Sequence, residues 1–369
     1  MGALKTYPSI FAVGKSYQLM IPVSEEVTMW VRVGDKTYYD ETNGILRSKN
    51  MIHRVVIPMK ALDGAGEYTL CYRRIFDRKP YYTESGDIVQ EHYTFRPLTS
   101  ATFRAYHISD SHSLVDEPIA AAKLYADKFG AIDLLILSGD IAEDSDCLER
   151  FCSIYMISGE ITRGEIPIVF ARGNHDMRGA MAEYLTENTP NDNARSYYTF
   201  RLGAVWGMVL DCAEDKPDDS VEYGNTICAH AFRMRESEFI EQVISECDRE
   251  YLADGVERRI IVVHAPFIEK RVPPFNIEED TYAYWAKLLR ENVHPDVMLT
   301  GHKHKLIVSY PGDELDEFGS PSAVVVAGVP DHKGKTYTGA GYLFDAHGMS
   351  VTFCSNLGVV SEHYIKFDQ

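Results

Sequence analysis

Nowhere in the 369 residues is there an uninterrupted apolar run of about 20 residues, the length a helix needs to cross a bilayer. The opening Met1 to Thr6 also lacks the apolar core of a secretory signal, although its Met-Gly start fits the loose pattern for N-terminal myristoylation. Cysteine is sparse and odd in number, with seven residues and no Cys-x-x-Cys pair. That excludes a disulfide-stapled scaffold and reads as reduced, mostly buried thiols in a cytoplasmic protein. Internal repeats and low-complexity tracts are absent, and 45% hydrophobic with 25% charged residues is ordinary for a globular chain. Basic residues are the clearest shortage: 37 against 55 acidic, a net charge of −18. The deficit is uneven, because residues 1–98 carry 13 basic and 11 acidic side chains, which leaves a net of −20 on residues 99–369. Such a surface repels a phosphate backbone, so no nucleic-acid partner is expected. It should repel small anionic substrates as well.

Length suggests two domains, and the patterning changes near Pro97. Up to there, short alternating runs at 27–33, 52–57, 67–72 and 92–95 are separated by turn residues such as Asn43-Gly44 and Asp63-Gly64. Period-2 runs at this spacing predict an all-β sandwich of immunoglobulin or fibronectin III type over residues 1–98. From residue 99 to 369, short apolar runs at 103–108, 134–137, 168–170, 205–210, 260–263, 297–299 and 324–327 alternate with amphipathic stretches at 118–128, 147–157 and 237–252. Near-continuous apolar strands between helices predict an α/β catalytic domain whose sheets lie under helices. A hairpin pairing 341–344 with 350–353 closes the sheet.

The residues just past the apolar runs carry the chemistry. Asp110-Ser111-His112, Gly139-Asp140, Gly173-Asn174-His175-Asp176, His264 and Gly301-His302-Lys303-His304 each stand at the end of one such run. The carboxyl ends of strands are where α/β sheets build their sites. Oxygen and nitrogen donors without sulfur suit divalent Mn, Fe or Zn. Singly, a strand-end Asp is usually a cap or turn former and a lone His a hydrogen-bonded core residue. Five such clusters in order are a different matter.

The series Asp-x-His, Gly-Asp, Gly-Asn-His-Asp, His and Gly-His-x-His resembles the calcineurin-like metallophosphoesterases, purple acid phosphatases included, over residues 102–345. The resemblance implies a four-layer α-β-β-α sandwich, here preceded by a β-sandwich as in purple acid phosphatases. It implies one divalent metal ion held by Asp110, His112, Asp140 and His304. A second would be held by Asp140, Asn174, His264 and His302, with Asp140 bridging. His175 matches the histidine that contacts the phosphoryl group, and Asp176 the carboxylate that orients it. The purple enzymes carry a tyrosine ligand three residues after the bridging Asp, where this chain has Glu143. A ferric, purple centre is therefore not implied, and Glu143 is a further ligand or a solvated or capping carboxylate.

The expected activity is hydrolysis of a small phosphomonoester or phosphodiester by attack of a metal-bridging hydroxide, with His175 stabilising charge on the phosphoryl oxygens. Arg172 could clamp the phosphate or sit in a structural salt bridge. Tyr223 and His230, in a polar insert at 211–233, are candidate substrate contacts, as are His332 and Lys333 in a Gly-rich turn. His107, His294, His347 and His363 read as structural. Two other readings remain at this level, a non-catalytic interaction scaffold on the same fold and a nuclease of the superfamily, while a protein phosphatase has no feature in its favour. Residues 1–98 could dock a partner, pair subunits or lean over the rim of the site.

Overall fold

The computed structural model describes residues 2–367, so Met1, where the lipidation pattern begins, lies outside the described residues. Strands β10 (Phe103–Ile108), β11 (Leu134–Ser138) and β12 (Pro167–Ala171) run parallel, each wholly or nearly wholly buried. Burial on both faces is why these runs are continuously apolar and not alternating. They form the centre of a first sheet, closed by the antiparallel β20 (Thr336–Phe344), β21 (Gly348–Ser355) and β22 (Gly358–Lys366). The second sheet combines β13 (Tyr198–Leu202), β14 (Val205–Leu210), β15 (Arg258–Val263), β16 (Val297–Thr300), β17 (Ile307–Ser309) and β18 (Ala323–Val326) in the order β13-β14-β15-β16-β18-β17. A short β19 (Val329–Asp331) pairs with β20.

Alternate residues of the second sheet face opposite layers. Val205, Val209, Ile260, Val262, Val297, Leu299 and Val325 join the core between the two sheets. Their neighbours Trp206, Met208, Ile261, Val263, Met298 and Val324 pack under helices α5 (Ala229–Ser245) and α6 (Glu279–Leu288), against Ile240, Tyr282 and Trp285. On the far side, α2 (Asp116–Phe129) and α3 (Leu148–Thr162) cover the first sheet. The result is the expected helix–sheet–sheet–helix arrangement. Each fully buried Val, Ile or Leu of these layers contributes about 1.5–3 kcal/mol.

Residues 2–98 are all-β apart from the short α1 (Met59–Ala65), but they do not form a free-standing sandwich. Strand β1 (Ser9–Val13) pairs parallel with β12, Ile10 opposite Pro167 and Phe11 opposite Ile168. Beside it β2 (Ser16–Pro22) and then β7 (Ile52–Pro58) continue the catalytic sheet. The other layer is β4-β3-β8-β9, made of β3 (Val27–Val33), β4 (Lys36–Tyr39), β8 (Glu67–Lys79) and β9 (Tyr82–Thr94). A two-strand ribbon, β5 (Glu41–Thr42) with β6 (Ile45–Leu46), completes the region. Val27, Met29, Val31 and Leu70 pack in the same core as Leu19, Ile21, Val55 and Ile57. The N-terminal sandwich thus shares one of its sheets with the catalytic layers, which corrects the reading of residues 1–98 as a separate unit. The physical reason lies in β1, whose five residues are all buried and therefore show no alternation.

No helix among the described residues is long and apolar enough to cross a membrane. All seven cysteines are free thiols.

Candidate metal centre

Because β10, β11 and β12 are parallel to one another, and β14, β15 and β16 likewise, their carboxyl ends deliver the polar clusters to one edge of the two sheets. The chain must turn sharply there. Asp110, His112, Asp140, His302 and His304 all adopt left-handed backbone angles, with φ between 44° and 70°. Non-glycine residues in that region cost on the order of 1–3 kcal/mol each and persist where the surroundings enforce them, typically at functional sites. Five such residues in one cluster are backbone strain concentrated at a single place.

The side chains form two groups, Asp110-His112-His304 and Asp140-His264-His302, linked by a third made of His112, Asp140 and His175. In the first, Asp110, His112 and His304 bring ligand atoms within 4.8 Å of one another. His112 Nε2 stands 3.0 Å from His304 Nε2, and His304 Nε2 is 3.4 Å from Asp110 Oδ1. In the second, Asp140, His264 and His302 do the same. His264 Nε2 lies 3.1 Å from Asp140 Oδ2 and 3.2 Å from Asn174 Oδ1, which is itself 3.0 Å from His302 Nδ1. Asp110 Oδ1 and His112 Nδ1 are buried without a hydrogen-bond partner. Buried polar atoms left unpaired are rare and costly. Oxygen and nitrogen donors gathered in linked clusters, two of them unsatisfied, fit a pair of divalent cations.

The charges agree. Burial opposes protonation of His264, yet Asp140 and Asp110 outweigh it and raise its pKa to about 10. The neighbouring Asp110 carboxylate likewise raises His304. Burial depresses His112 and, together with the positive charge of His264, holds His302 well below the usual range. The same two carboxylates that hold protons on imidazoles would hold metal cations in their place. Ring orientation is set from behind: His264 Nδ1 donates to Ser138 O at 2.7 Å, which leaves Nε2 for the site. The backbone amide of His302 donates to Asp110 Oδ2 at 2.8 Å.

His175 Nδ1 donates to the carbonyl of Glu143 at 2.9 Å, leaving Nε2 beside Arg178 Nη1 at 3.3 Å. Asp176 does not orient this ring as expected. Its carboxylate accepts the backbone amides of Gly173 at 2.8 Å and Asp140 at 3.3 Å, so it clamps their two loops together. Burial and then the charge of Asp140 push the Asp176 pKa up to about 7. The Glu143 side chain is 45% exposed, with Oε2 3.5 Å from His112 Nδ1.

Asp140, Asn174, His175, His302 and His304 line a cleft of about 590 Å³. Six cations share its walls, Arg178, Lys216, Lys270, Arg271, Lys303 and Lys305, against Asp215 and Glu269 besides Asp140. The mouth is therefore basic in a chain of net charge −18. A larger groove, about 870 Å³ and lined by Tyr39, Arg54, Tyr184 and Asn191 among others, holds no metal-ligating cluster among the described residues.

The expected substrate contacts fare less well. Arg172 is not free: its Nε sits 2.6 Å from the fully buried Asp211, and its guanidinium stacks 5.0 Å over Phe232. Tyr223 is buried, its hydroxyl donating to Glu214 at 2.9 Å. Both line a separate cleft, of about 500 Å³, that shares Arg178 with the metal-site cleft. His230 is exposed and bonded to Glu278 at 2.8 Å, outside the cleft, and His332 and Lys333 lie on the exposed turn after β19. Among the histidines read as structural, His107 is fully buried between Tyr342 and Ser138, while His294, His347 and His363 are exposed. The basic wall was not anticipated. Lys303 and Lys305 alternate with His302 and His304, Arg178 follows His175 by three, and Arg271 follows His264 by seven, so proximity to the motifs was the available signal.

A four-layer sandwich with paired Asp/His clusters at strand ends defines a metal-dependent hydrolase class. Residues 103–306 match the model of the calcineurin-like phosphoesterases, and the chain belongs to that family. Membership places it among phosphoester hydrolases that typically use two divalent metal ions. No curated protein matches. Among solved structures, a purple acid phosphatase from seeds of yellow lupin (Lupinus luteus) is similar over 98% of this chain and 74% of its own, with 14% identity and a TM-score of 0.61. A conserved predicted phosphoesterase of Streptococcus pneumoniae (14% identity, 72% of this chain, 99% of its own, TM-score 0.33) and the E. coli phosphoesterase Yfce (12%, 71%, 100%, 0.32) are more distant. The lupin structure extends the shared fold over the N-terminal β region as well.

Proposed function

We propose that the protein is a dinuclear metal-dependent phosphoesterase acting on a small phosphomonoester or phosphodiester. The observation that carries this reading is the pair of Asp/His clusters, linked through His112 and Asp140, beside a basic cleft. Asp110, His112, Asp140 and His304 would hold one ion, and Asp140, Asn174, His264 and His302 the other. Mn, Fe or Zn suits these donors. Bound there, two divalent ions supply Lewis acidity to the phosphoryl group and lower the pKa of a shared water.

The chain's own part is positioning and charge. His175 is held at Nδ1 by a carbonyl, which leaves Nε2, 3.3 Å from Arg178 Nη1, as the ring atom that would meet a phosphoryl or leaving-group oxygen. Arg178, fixed by two 2.8 Å bonds to the buried Glu214, places a guanidinium beside it where negative charge builds. Glu143, standing where the purple enzymes have tyrosine, speaks against a ferric, purple centre. The −20 of residues 99–369 beside a small, locally basic cleft supports small substrates over long polyanions, and hence a phosphoesterase over a nuclease. Seven free thiols support a reducing compartment, the cytoplasm. Residues 1–98, through β9 at the open edge of their sheet, offer a route to subunit pairing.

The test is hydrolysis of 4-nitrophenyl phosphate and bis(4-nitrophenyl) phosphate after chelation and re-addition of Mn, Fe, Zn or Mg. Turnover should vanish with the chelator and return with metal. His175→Ala should keep its metal and lose about 10²–10⁴ in kcat. Full metal content with no turnover on any ester would instead identify a scaffold.

A further inference from the structure

The cleft holds more positive charge than one phosphoryl group needs. Two divalent ions with Asp110 and Asp140 leave a surplus of about two charges, which a single phosphomonoester dianion balances. Beyond them stand the six wall cations against Asp215 and Glu269. Most of the six are occupied: Arg178 by Glu214, Lys216 by Glu222, Lys303 by Glu269, and Lys270 by Glu317 at 3.5 Å.

Two are not. Arg271 is anchored through Nε, 3.2 Å from Glu269, but neither terminal nitrogen has a hydrogen-bond partner among the described residues, and Nη2 is buried. Its side chain is only 12% exposed. A guanidinium held from behind, largely stripped of water and unpaired at both terminal nitrogens is arranged for a planar or tetrahedral anion. Lys305 has no carboxylate within ion-pair distance among the described residues and lies on the same cleft, one residue past His304.

We propose that Arg271 and Lys305 form a second anion subsite beside the metal centre, and that the substrate is a small phosphoester carrying a further carboxylate or phosphate. This rests on the phosphoesterase reading above. Exposed Phe275, also on the cleft wall, faces the body that joins the two anionic ends.

The experiment separates the two claims. Calorimetry on the metal-loaded protein compares methylphosphonate with a carboxylate series (phosphonoacetate, 3-phosphonopropionate, 4-phosphonobutyrate) and with alkylene bisphosphonates of matching lengths. One length in at least one series should bind at least tenfold tighter than methylphosphonate, and the series that does so names the second group. Arg271→Gln with Lys305→Gln should erase that gain. In parallel, the kcat/KM ratio of the matching doubly anionic phosphoester to 4-nitrophenyl phosphate should fall at least tenfold in the double variant. Equal affinity across all ligands, or an equal loss for every substrate, would overturn the subsite. Absence of turnover on any ester, with selective binding intact, would overturn the phosphoesterase reading and leave the anion site standing.

Discussion

Gly173 carries no charge and no side chain, yet its replacement by alanine should disable the site. A Cβ on Gly173 would stand 2.1 Å from Asp140 Oδ1, 2.5 Å from its backbone nitrogen and 2.8 Å from its Cγ. Ordinary contacts are longer by roughly 1 Å or more, and the neighbour is no free side-chain end. Asp140 Oδ1 accepts the His175 amide at 2.9 Å and Oδ2 meets His264 at 3.1 Å, while the Gly173 amide is held by Asp176. Relief therefore means moving Asp140, the ligand proposed to be shared. Overpacking of this kind costs about 1–3 kcal/mol of stability. The functional loss should be larger in proportion, because a displacement of about 1 Å at reacting groups costs on the order of 10² in rate. Gly64→Ala is the control: it lies in α1, its Cβ would meet nothing within 4 Å, and it should stabilise by about 0.5–1 kcal/mol. The assays are metal content by mass spectrometry, kcat/KM on 4-nitrophenyl phosphate, and urea unfolding. Gly173→Ala with full metal and a rate within threefold of the parent would refute the placement of Asp140 at the shared position.

The packing and burial predict two more outcomes. A chain cut to residues 99–369 should not fold as a soluble unit, since it bares the edge of β12 and the core that β1, β2 and β7 cover. A cooperative unfolding transition for that fragment would contradict the shared sheet. His107, fully buried, has its pKa pushed down to about 3, chiefly by burial. The native state therefore resists a proton that the unfolded chain accepts below pH 6.5. Stability is fully present above pH 6.5 and should fall by about 1.4 kcal/mol per pH unit beneath it, or about 2 kcal/mol by pH 5. Urea melts between pH 6.5 and 5 should show that much less slope in His107→Gln, and identical slopes would refute it.

Much of the fold and site is written locally in the chain. The runs ending at Ile108, Phe170 and Val263 announce buried strands by continuous apolarity, and the His and Asp clusters just beyond them announce a site, because strand ends are where such sheets place polar groups. What escapes a sequence reading is non-local. Nothing near Ser9–Val13 shows that it pairs with a strand more than 150 residues away, and β9, largely exposed, has little burial pattern to detect. Arg172 meets Asp211 across 39 residues of sequence, so only the fold decides between a free phosphate clamp and an ion pair. Asp176 shows the same limit at short range: the motif marks the residue, but only the loop geometry shows its carboxylate on two backbone amides and not on His175.

Two metal ions sharing Asp140 are the central claim. Anomalous diffraction from crystals loaded with Mn or Zn, read beside metal stoichiometry in solution, tests it most directly. The parent protein should show two ions per chain, one among Asp110, His112, Asp140 and His304 and one among Asp140, Asn174, His264 and His302, and Asp140→Asn should lose both or retain one weakly. Anomalous density away from these residues, or two full-occupancy ions in Asp140→Asn, would contradict it.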